Sequence, residues 1–313
     1  MASEARCVYR GLVTRVLKVV ARPQSEAATM YRRAIGRPDA IAPGIAPHPE
    51  FDLINHGGKT MTSLTFVSFY LSGAAWPASD RKSIDAALEA AMSDSGLNDM
   101  MAQYFDGVPP PSTAMPSQNV SVVAPATTDN AAAQSIVEQL LSGNFLDGLD
   151  LSKSVVNLML PPGIVLADTG GADSLHGLGG YHGSVHAQGG TVYYAIGVYS
   201  QVLKDGRQNG IVAFDQPWKN VVATFFHELN EVRTDADVDD AISTGKDALL
   251  GWTSSQGYEV GDEPVFEASS DLSKVFKEVK LADGTGTVPV QLMWSNTVHG
   301  PEGPVDAPEV PAT

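Results

Sequence analysis

The chain has 313 residues, of which 43% are hydrophobic and 18% are charged. That composition is typical of a globular protein and excludes a fibrous or membrane-embedded class. Asp and Glu (36) outnumber Lys and Arg (20), so the formal net charge is −16. An acidic surface repels phosphate backbones, and no nucleic-acid partner is expected.

Residues 1–50 are predicted to be a largely irregular N-terminal tail. The segment begins MASEARCVYRGLVTRVLKVVARP, where Arg15 and Lys18 interrupt the only apolar run, and prolines recur further on. A secretory signal needs an unbroken apolar core, so none is predicted. Nor does any window reach the roughly 18 apolar residues of a membrane-spanning helix. Because Cys7 is the only cysteine, an intramolecular disulfide is excluded.

Residues 51–299 are predicted to form a single α/β domain, with α+β as the alternative, in which helices flank a mixed sheet. β-Branched and aromatic runs indicate the strands, and capped periodic runs indicate the helices. The expected strands are 60–72, 119–125, 154–162, 191–199 and 288–296. The expected helices are 81–95, 97–105 and 128–144.

Two loops are expected to interrupt this alternation. Residues 167–190 contain eight glycines and three histidines, and glycine lets a backbone approach a ligand closely. Residues 251–263 place Glu259 and Asp262 in a short acidic turn. Loops of this kind often carry functional groups. Residues 300–313, rich in proline, are predicted to be a disordered C-terminal tail.

The segment VVATFFHELNEVRTD, residues 221–235, carries the main chemical pattern. Its apolar residues cover a wide face, which predicts a packed helix. His227 and Glu231 are four positions apart and therefore project from one side of that helix. In the zincin motif H-E-x-x-H, two such residues hold zinc while the intervening Glu takes a proton from water that the metal activates. H-E-x-x-E keeps this geometry, with Glu228 as the candidate general base.

A carboxylate in place of the second histidine changes the expected site. Carboxylate oxygen is an acceptable zinc ligand, but it favours harder ions such as manganese or calcium somewhat more than imidazole does. Catalytic zinc sites use three protein ligands. Asp262 is the slightly favoured third ligand over Glu259, and Asp235 is a weaker option. The simple alternative is a solvated helix face with a His–Glu hydrogen bond.

His182, between glycines in GGYHGS, is a further candidate. Its imidazole is suited to ligating the metal or to donating to a developing oxyanion on a substrate carbonyl. The alternative is a histidine that only satisfies the backbone of its loop.

These stretches together resemble a known family. VVATFFHELNEVRTDADVDD, then GW and GYEVGDE, is similar to the H-E-L-x-E-x-x-T-D-P … G-W … G-E-I-G-D pattern of bacterial proteins related to the plant EXORDIUM (phosphate-induced protein) family. NHGGKTMTSLTFVSFYLS, GGYHGSV and VPVQLMWSN resemble other segments of that family, so the likeness spans residues 55–296. Three positions depart from it: Ala236 replaces a proline, Gly180 replaces a frequent cysteine, and no cysteine follows Gly261 and Asp262.

The resemblance implies an extracellular protein and a zincin-like site. Its implied site residues are His182, His227, Glu228, Glu231, Glu259 and Asp262. The leading prediction is a zinc-dependent hydrolase, most simply a peptidase acting on a protein or peptide. A non-catalytic EXORDIUM-like surface-binding protein, with a structural metal or none, is the alternative, and a hydrolase of cell-wall amides is a third. The residues themselves leave the compartment open.

Overall fold

The structure is a computed structural model that describes residues 19–21 and 45–310. Most of the predicted N-terminal tail, 1–50, lies outside the described residues. The helices are α1 (Ala78–Ser93), α2 (Ser95–Met101), α3 (Asn130–Ser142), α4 (Pro217–Thr234), α5 (Val238–Thr244) and α6 (Asp262–Ala268). The strands are β1 (Val19–Ala21), β2 (Leu53–Asn55), β3 (Leu64–Leu71), β4 (Ser112–Val120), β5 (Thr127–Thr128), β6 (Ser154–Met159), β7 (Val165–Leu166), β8 (Leu178–Ala187), β9 (Gly190–Gly197), β10 (Gln201–Val202), β11 (Gln208–Asn209), β12 (Trp252–Ser254), β13 (Phe276–Lys280), β14 (Thr287–Gln291), β15 (Met293–Ser295) and β16 (Gly300–Glu302).

The central sheet is mixed and has the strand order β1-β8-β9-β6-β3-β4. β4, β3, β6 and β9 are parallel neighbours, whereas β8 is antiparallel to both β9 and β1. Parallel strands need crossover connections, and helices α1 to α3 lie within those connections. The predicted α/β class is confirmed.

Both faces of the sheet are covered, and the residues of β6 show this directly. Val155 and Met159 pack into an apolar core shared with α1, α2 and α4. Val156 and Leu158 face the opposite core, which contains the buried side of α3. Side chains alternate between the faces of a strand, so a strand covered on both faces has a continuous apolar sequence. The largely apolar run SVVNLM at 154–159 is therefore typical of a strand in the centre of a sheet.

Strand β4 departs from the prediction of a strand at 119–125, because it begins seven residues earlier, at Ser112. It pairs only with β3, at the edge of the sheet, and much of it is exposed. Its pairing shifts register between Val67 and Phe69, opposite Pro116. Proline is tolerated at an edge or a bulge because it does not need to donate to the ladder there. A search for apolar runs misses such a strand.

The predicted glycine-rich loop, 167–190, contains strand β8. A Cβ at Gly180 would lie 2.7 Å from the Ile196 carbonyl oxygen and 3.0 Å from Glu228 Oε1. Glycine at this position therefore lets β9 and α4 approach the strand closely. The strand turns Tyr181 towards the core on the α3 side and places His182 on the α4 side.

Helix α4 is enclosed along almost its whole length. Pro217 occupies its first turn, where the missing N–H has no helical partner to lose. Every residue from Asn220 to Thr234 is buried. The predicted packed helix is confirmed, and the alternative of a solvated face is wrong, because His227 and Glu231 are both 0% exposed.

The beginning of the predicted C-terminal tail is ordered against the domain. β16 pairs with β15, and the Glu309 amide donates to the Asp99 carbonyl oxygen at 3.0 Å. The prediction of a disordered tail is therefore corrected for residues 300–310. Backbone hydrogen bonds hold this proline-rich segment against the domain. None of the helices within the described ranges combines the length and apolarity that crossing a bilayer requires.

Candidate metal centre

Six buried polar side chains from three parts of the fold meet beside α4. The helix supplies three of them, β8 supplies one, the turn before α6 supplies one, and the first residue of α6 supplies the last. They are His182, His227, Glu228, Glu231, Glu259 and Asp262, each 0% exposed. Charged side chains are almost never fully buried unless they are paired or bind a metal.

One group of ligand atoms centres on His227. Its Nε2 lies 2.9 Å from Glu231 Oε1 and 3.9 Å from Asp262 Oδ1. Its Nδ1 lies 2.8 Å from Gln291 Oε1. With the proton on Nδ1, the ring donates to Gln291 and presents a lone pair on Nε2 to the two carboxylates. Metal-binding histidines are commonly held in this way, through their second nitrogen.

A second group centres on His182. Its Nδ1 lies 3.2 Å from Glu228 Oε2 and 3.5 Å from Glu231 Oε2. Its Nε2 lies 3.6 Å from Glu259 Oε1, beyond hydrogen-bond distance. Glu231 therefore directs one oxygen towards each histidine.

The donor atoms are compatible with a divalent cation. In each of two triplets, His227–Glu231–Asp262 and His182–Glu228–Glu231, the ligand atoms lie within 4.8 Å of one another. Imidazole nitrogen and carboxylate oxygen are the ligands that zinc and related ions use. Both oxygens of Glu259 accept no hydrogen bond from any described residue. Buried polar atoms usually have partners, so an ion or protons must compensate for this charge.

The electrostatics of the cluster show a surplus of negative charge. Burial raises the pKa values of Glu259 and Asp262 well above their usual range, and neighbouring carboxylates such as Glu231 raise them further. Burial alone would lower the pKa of His182, but the hydrogen-bonded carboxylates of Glu228 and Glu231 outweigh it and raise that pKa to about 9. Without a cation, the cluster therefore retains protons.

Gly261 allows the acidic turn to pack against the imidazole of His227. A Cβ at this position would lie 2.5 Å from Nδ1 and 2.7 Å from Cε1 of the ring. The φ angle is −91°, which other residues adopt freely. The requirement for glycine at position 261 is therefore one of space.

The structure separates the candidate third ligands. Asp262 approaches His227, whereas Glu259 approaches His182 instead. Asp235 belongs to neither triplet, and its Oδ1 accepts a hydrogen bond from the Gly251 amide at 2.8 Å. Sequence reasoning overlooked Gln291 as a site residue. The available signal was a polar residue within the apolar run VPVQLMW.

Two cavities in the described part of the chain lie away from the six residues. One of about 540 Å³ is lined by residues including Lys59 and Tyr193, and one of about 490 Å³ by residues including Lys274 and Lys277. None of the six cluster residues lines either cavity. In this conformation, the candidate centre is enclosed by protein.

Comparisons with known proteins add little. No family model matches the chain, and no curated protein matches it. Among solved structures, metalloproteinase-II from Bacteroides fragilis aligns with 13% identity and a TM-score of 0.31, over 72% of this chain and 55% of that chain. A likeness this distant carries no argument. The resemblance to the EXORDIUM family gains no support from these comparisons and stays a prediction.

Proposed function

We propose that this protein is a metal-dependent hydrolase whose ion, zinc in the first instance, is held by His227, Glu231 and Asp262. One observation carries the proposal: three ligand groups from two elements converge within 4.8 Å in the protein interior. The predicted i, i+4 pair on α4 provides two of them, and Asp262, the first residue of α6, provides the third. A peptide or another amide is the substrate class that this chemistry suits.

The neighbouring side chains have distinct proposed roles. A bound zinc ion would supply Lewis acidity, which polarises a carbonyl oxygen and lowers the pKa of a water molecule that it holds. Glu228 follows the ligand His227 directly and is the proposed general base. His182 hydrogen-bonds Glu228 at 3.2 Å and would fix the orientation of that carboxylate. Since both nitrogens of His182 face carboxylates, its predicted role as an oxyanion donor has less support.

A second candidate function is a structural metal centre in a non-catalytic binding protein. It is favoured by the burial of the six cluster residues and by the position of the two cavities away from them. Structural ions occupy closed sites, whereas catalytic ions need an open position. A hydrolase built on this centre must therefore open before it can admit a substrate.

Elemental analysis of the purified protein, combined with hydrolysis of a fluorescently quenched unfolded protein, separates these functions. We expect bound zinc and measurable hydrolysis. Glu228→Gln should lower hydrolysis by about 10²–10⁴-fold while the ion at His227 is retained, because general-base catalysis contributes that much. Glu138→Gln, the same change on the exposed face of α3, should leave hydrolysis unchanged. Bound metal with no hydrolysis in the parent protein would identify a structural centre, and no bound metal would overturn both functions.

A further inference from the structure

The two ligand triplets share Glu231, and we propose that the chain binds a second divalent cation between His182, Glu228 and Glu231. This inference rests on the proposed function, because the first ion is the one at His227. The second site is a separate claim, because the site at His227 needs neither His182 nor Glu228 as a ligand.

The geometry of Glu231 is the first argument. Its Oε1 lies 2.9 Å from His227 Nε2, and its Oε2 lies 3.5 Å from His182 Nδ1. One carboxylate thus offers an oxygen to each side. In two-metal sites the ions lie about 3.5–4 Å apart, and a shared carboxylate suits that spacing.

The second argument is that an ion at His227 leaves several buried atoms without partners. Glu228 Oε1, His182 Nε2 and both oxygens of Glu259 make no hydrogen bond to any described residue. These side chains are 0% exposed, so bulk solvent does not reach them. Unpaired polar atoms in the interior are costly, and a cation beside Glu228 and His182 would compensate part of that charge.

Charge supports the same conclusion. Six interacting carboxylates are buried here, namely Glu228, Glu231, Asp235, Glu259, Asp262 and Glu263. One divalent cation offsets only two of those charges. A second cation offsets two more and so reduces the negative charge that the low-dielectric interior must hold.

Both triplets consist of one imidazole and two carboxylates, so the two sites should accept the same class of ion. Zinc and manganese both accept such mixed nitrogen and oxygen ligands. The second ion also changes the role of Glu228, because a carboxylate that holds a cation is not free to take a proton. We therefore expect hydrolysis to fall at the ion concentration that fills the second site.

Manganese alone tests the proposal, because Mn²⁺ is paramagnetic. Metal-free protein is dialysed against Mn²⁺, bound manganese is counted by elemental analysis, and the electron paramagnetic resonance spectrum is recorded. We expect two ions per chain and a spectrum broadened by coupling between them. His182→Ala should reduce the count to one and remove the coupling, as should Asp262→Asn from the other side.

His186→Ala is the matched control. His186 lies on the same strand, four residues after His182, and pairs with Asp240 at 2.7 Å, but its side chain is 61% exposed. This variant should keep both ions and their coupling.

One uncoupled ion in the wild-type protein overturns the second site but not the hydrolase. No bound manganese also overturns the second site, whereas the zinc analysis of the purified protein decides the hydrolase. The manganese count and the spectrum of the wild-type chain decide the proposal. The result therefore does not depend on whether a variant folds.

Discussion

Carboxylates crowd together at two places within the described residues that differ in their partners. Beside α4, acidic side chains surround His182 and His227. Near the C-terminus, Glu309 interacts with Glu302, and its other partners include the amide of Gln103 and the hydroxyl of Ser295. Burial raises the pKa of Glu309 to about 7, and Glu302 contributes to the rise. A shared proton is sufficient to relieve the repulsion in that pair.

This difference in partners shows what distinguishes a candidate metal site from an acidic patch. Carboxylates alone can be neutralised by protons, and the net charge of −16 shows that this chain has many of them. Imidazole nitrogens add neutral ligands that a divalent cation binds well. Full burial then prevents water from screening the charge.

Glu231→Gln should have the largest effect, because Glu231 belongs to both triplets. Loss of a residue that only orients a metal ligand lowers metal affinity by about 10–100-fold. Loss of Glu231, a proposed ligand itself, should therefore lower zinc affinity by more than about 100-fold. Isothermal titration with zinc measures the affinity. Glu309→Gln is the matched control from the other cluster and should bind zinc as the wild-type chain does. Unchanged affinity in Glu231→Gln would exclude Glu231 as a ligand of the metal site.

Removal of metal should destabilise the protein. An ion that binds only the folded chain stabilises it by about 2.7 kcal/mol at a free concentration of roughly 100 times its Kd. For a chain of this size, that corresponds to a rise in Tm of several degrees. Thermal unfolding in a zinc series, with and without a chelator, measures the rise. Glu231→Gln should show no dependence on zinc, and an equal dependence in both proteins would place the ion elsewhere.

Gly261→Ala should loosen the turn that carries Asp262. The added methyl group would overlap the His227 ring, and overpacking of this kind costs about 1–3 kcal/mol. Chemical denaturation measures the free energy of unfolding, and zinc affinity should fall with it. Gly286→Ala is the matched control, because a Cβ there meets no atom within 4 Å and its φ is not in the left-handed region. Equal stability of the two variants would contradict the close packing at His227.

Local patterns predicted part of this site, and the tertiary fold determined the rest. The i, i+4 spacing of His227 and Glu231 brings them together wherever the helix lies, so the sequence was sufficient for that pair. The choice between Asp262 and Glu259 depends on how the turn packs, which no local pattern encodes. Strand β8 was expected to be a loop because its glycines, needed for close packing against α4, resemble those of a turn.

The smallest expected effect lies at the Glu302–Glu309 pair, where pH replaces metal as the variable. The pKa of Glu309 is raised in the folded chain, so its contribution to stability is complete below its ordinary value and is lost as pH rises through about 7. The hydrogen bond from the Glu309 amide to Asp99 should therefore open more often at pH 8 than at pH 5.5. Hydrogen exchange at that amide, corrected for its intrinsic pH dependence, measures the change. Glu302→Gln removes one of the two charges and should flatten the response, whereas zinc should leave it unaltered. A response to zinc at this amide would mean that carboxylates alone are sufficient to bind the ion, and the distinction between the two clusters would fail.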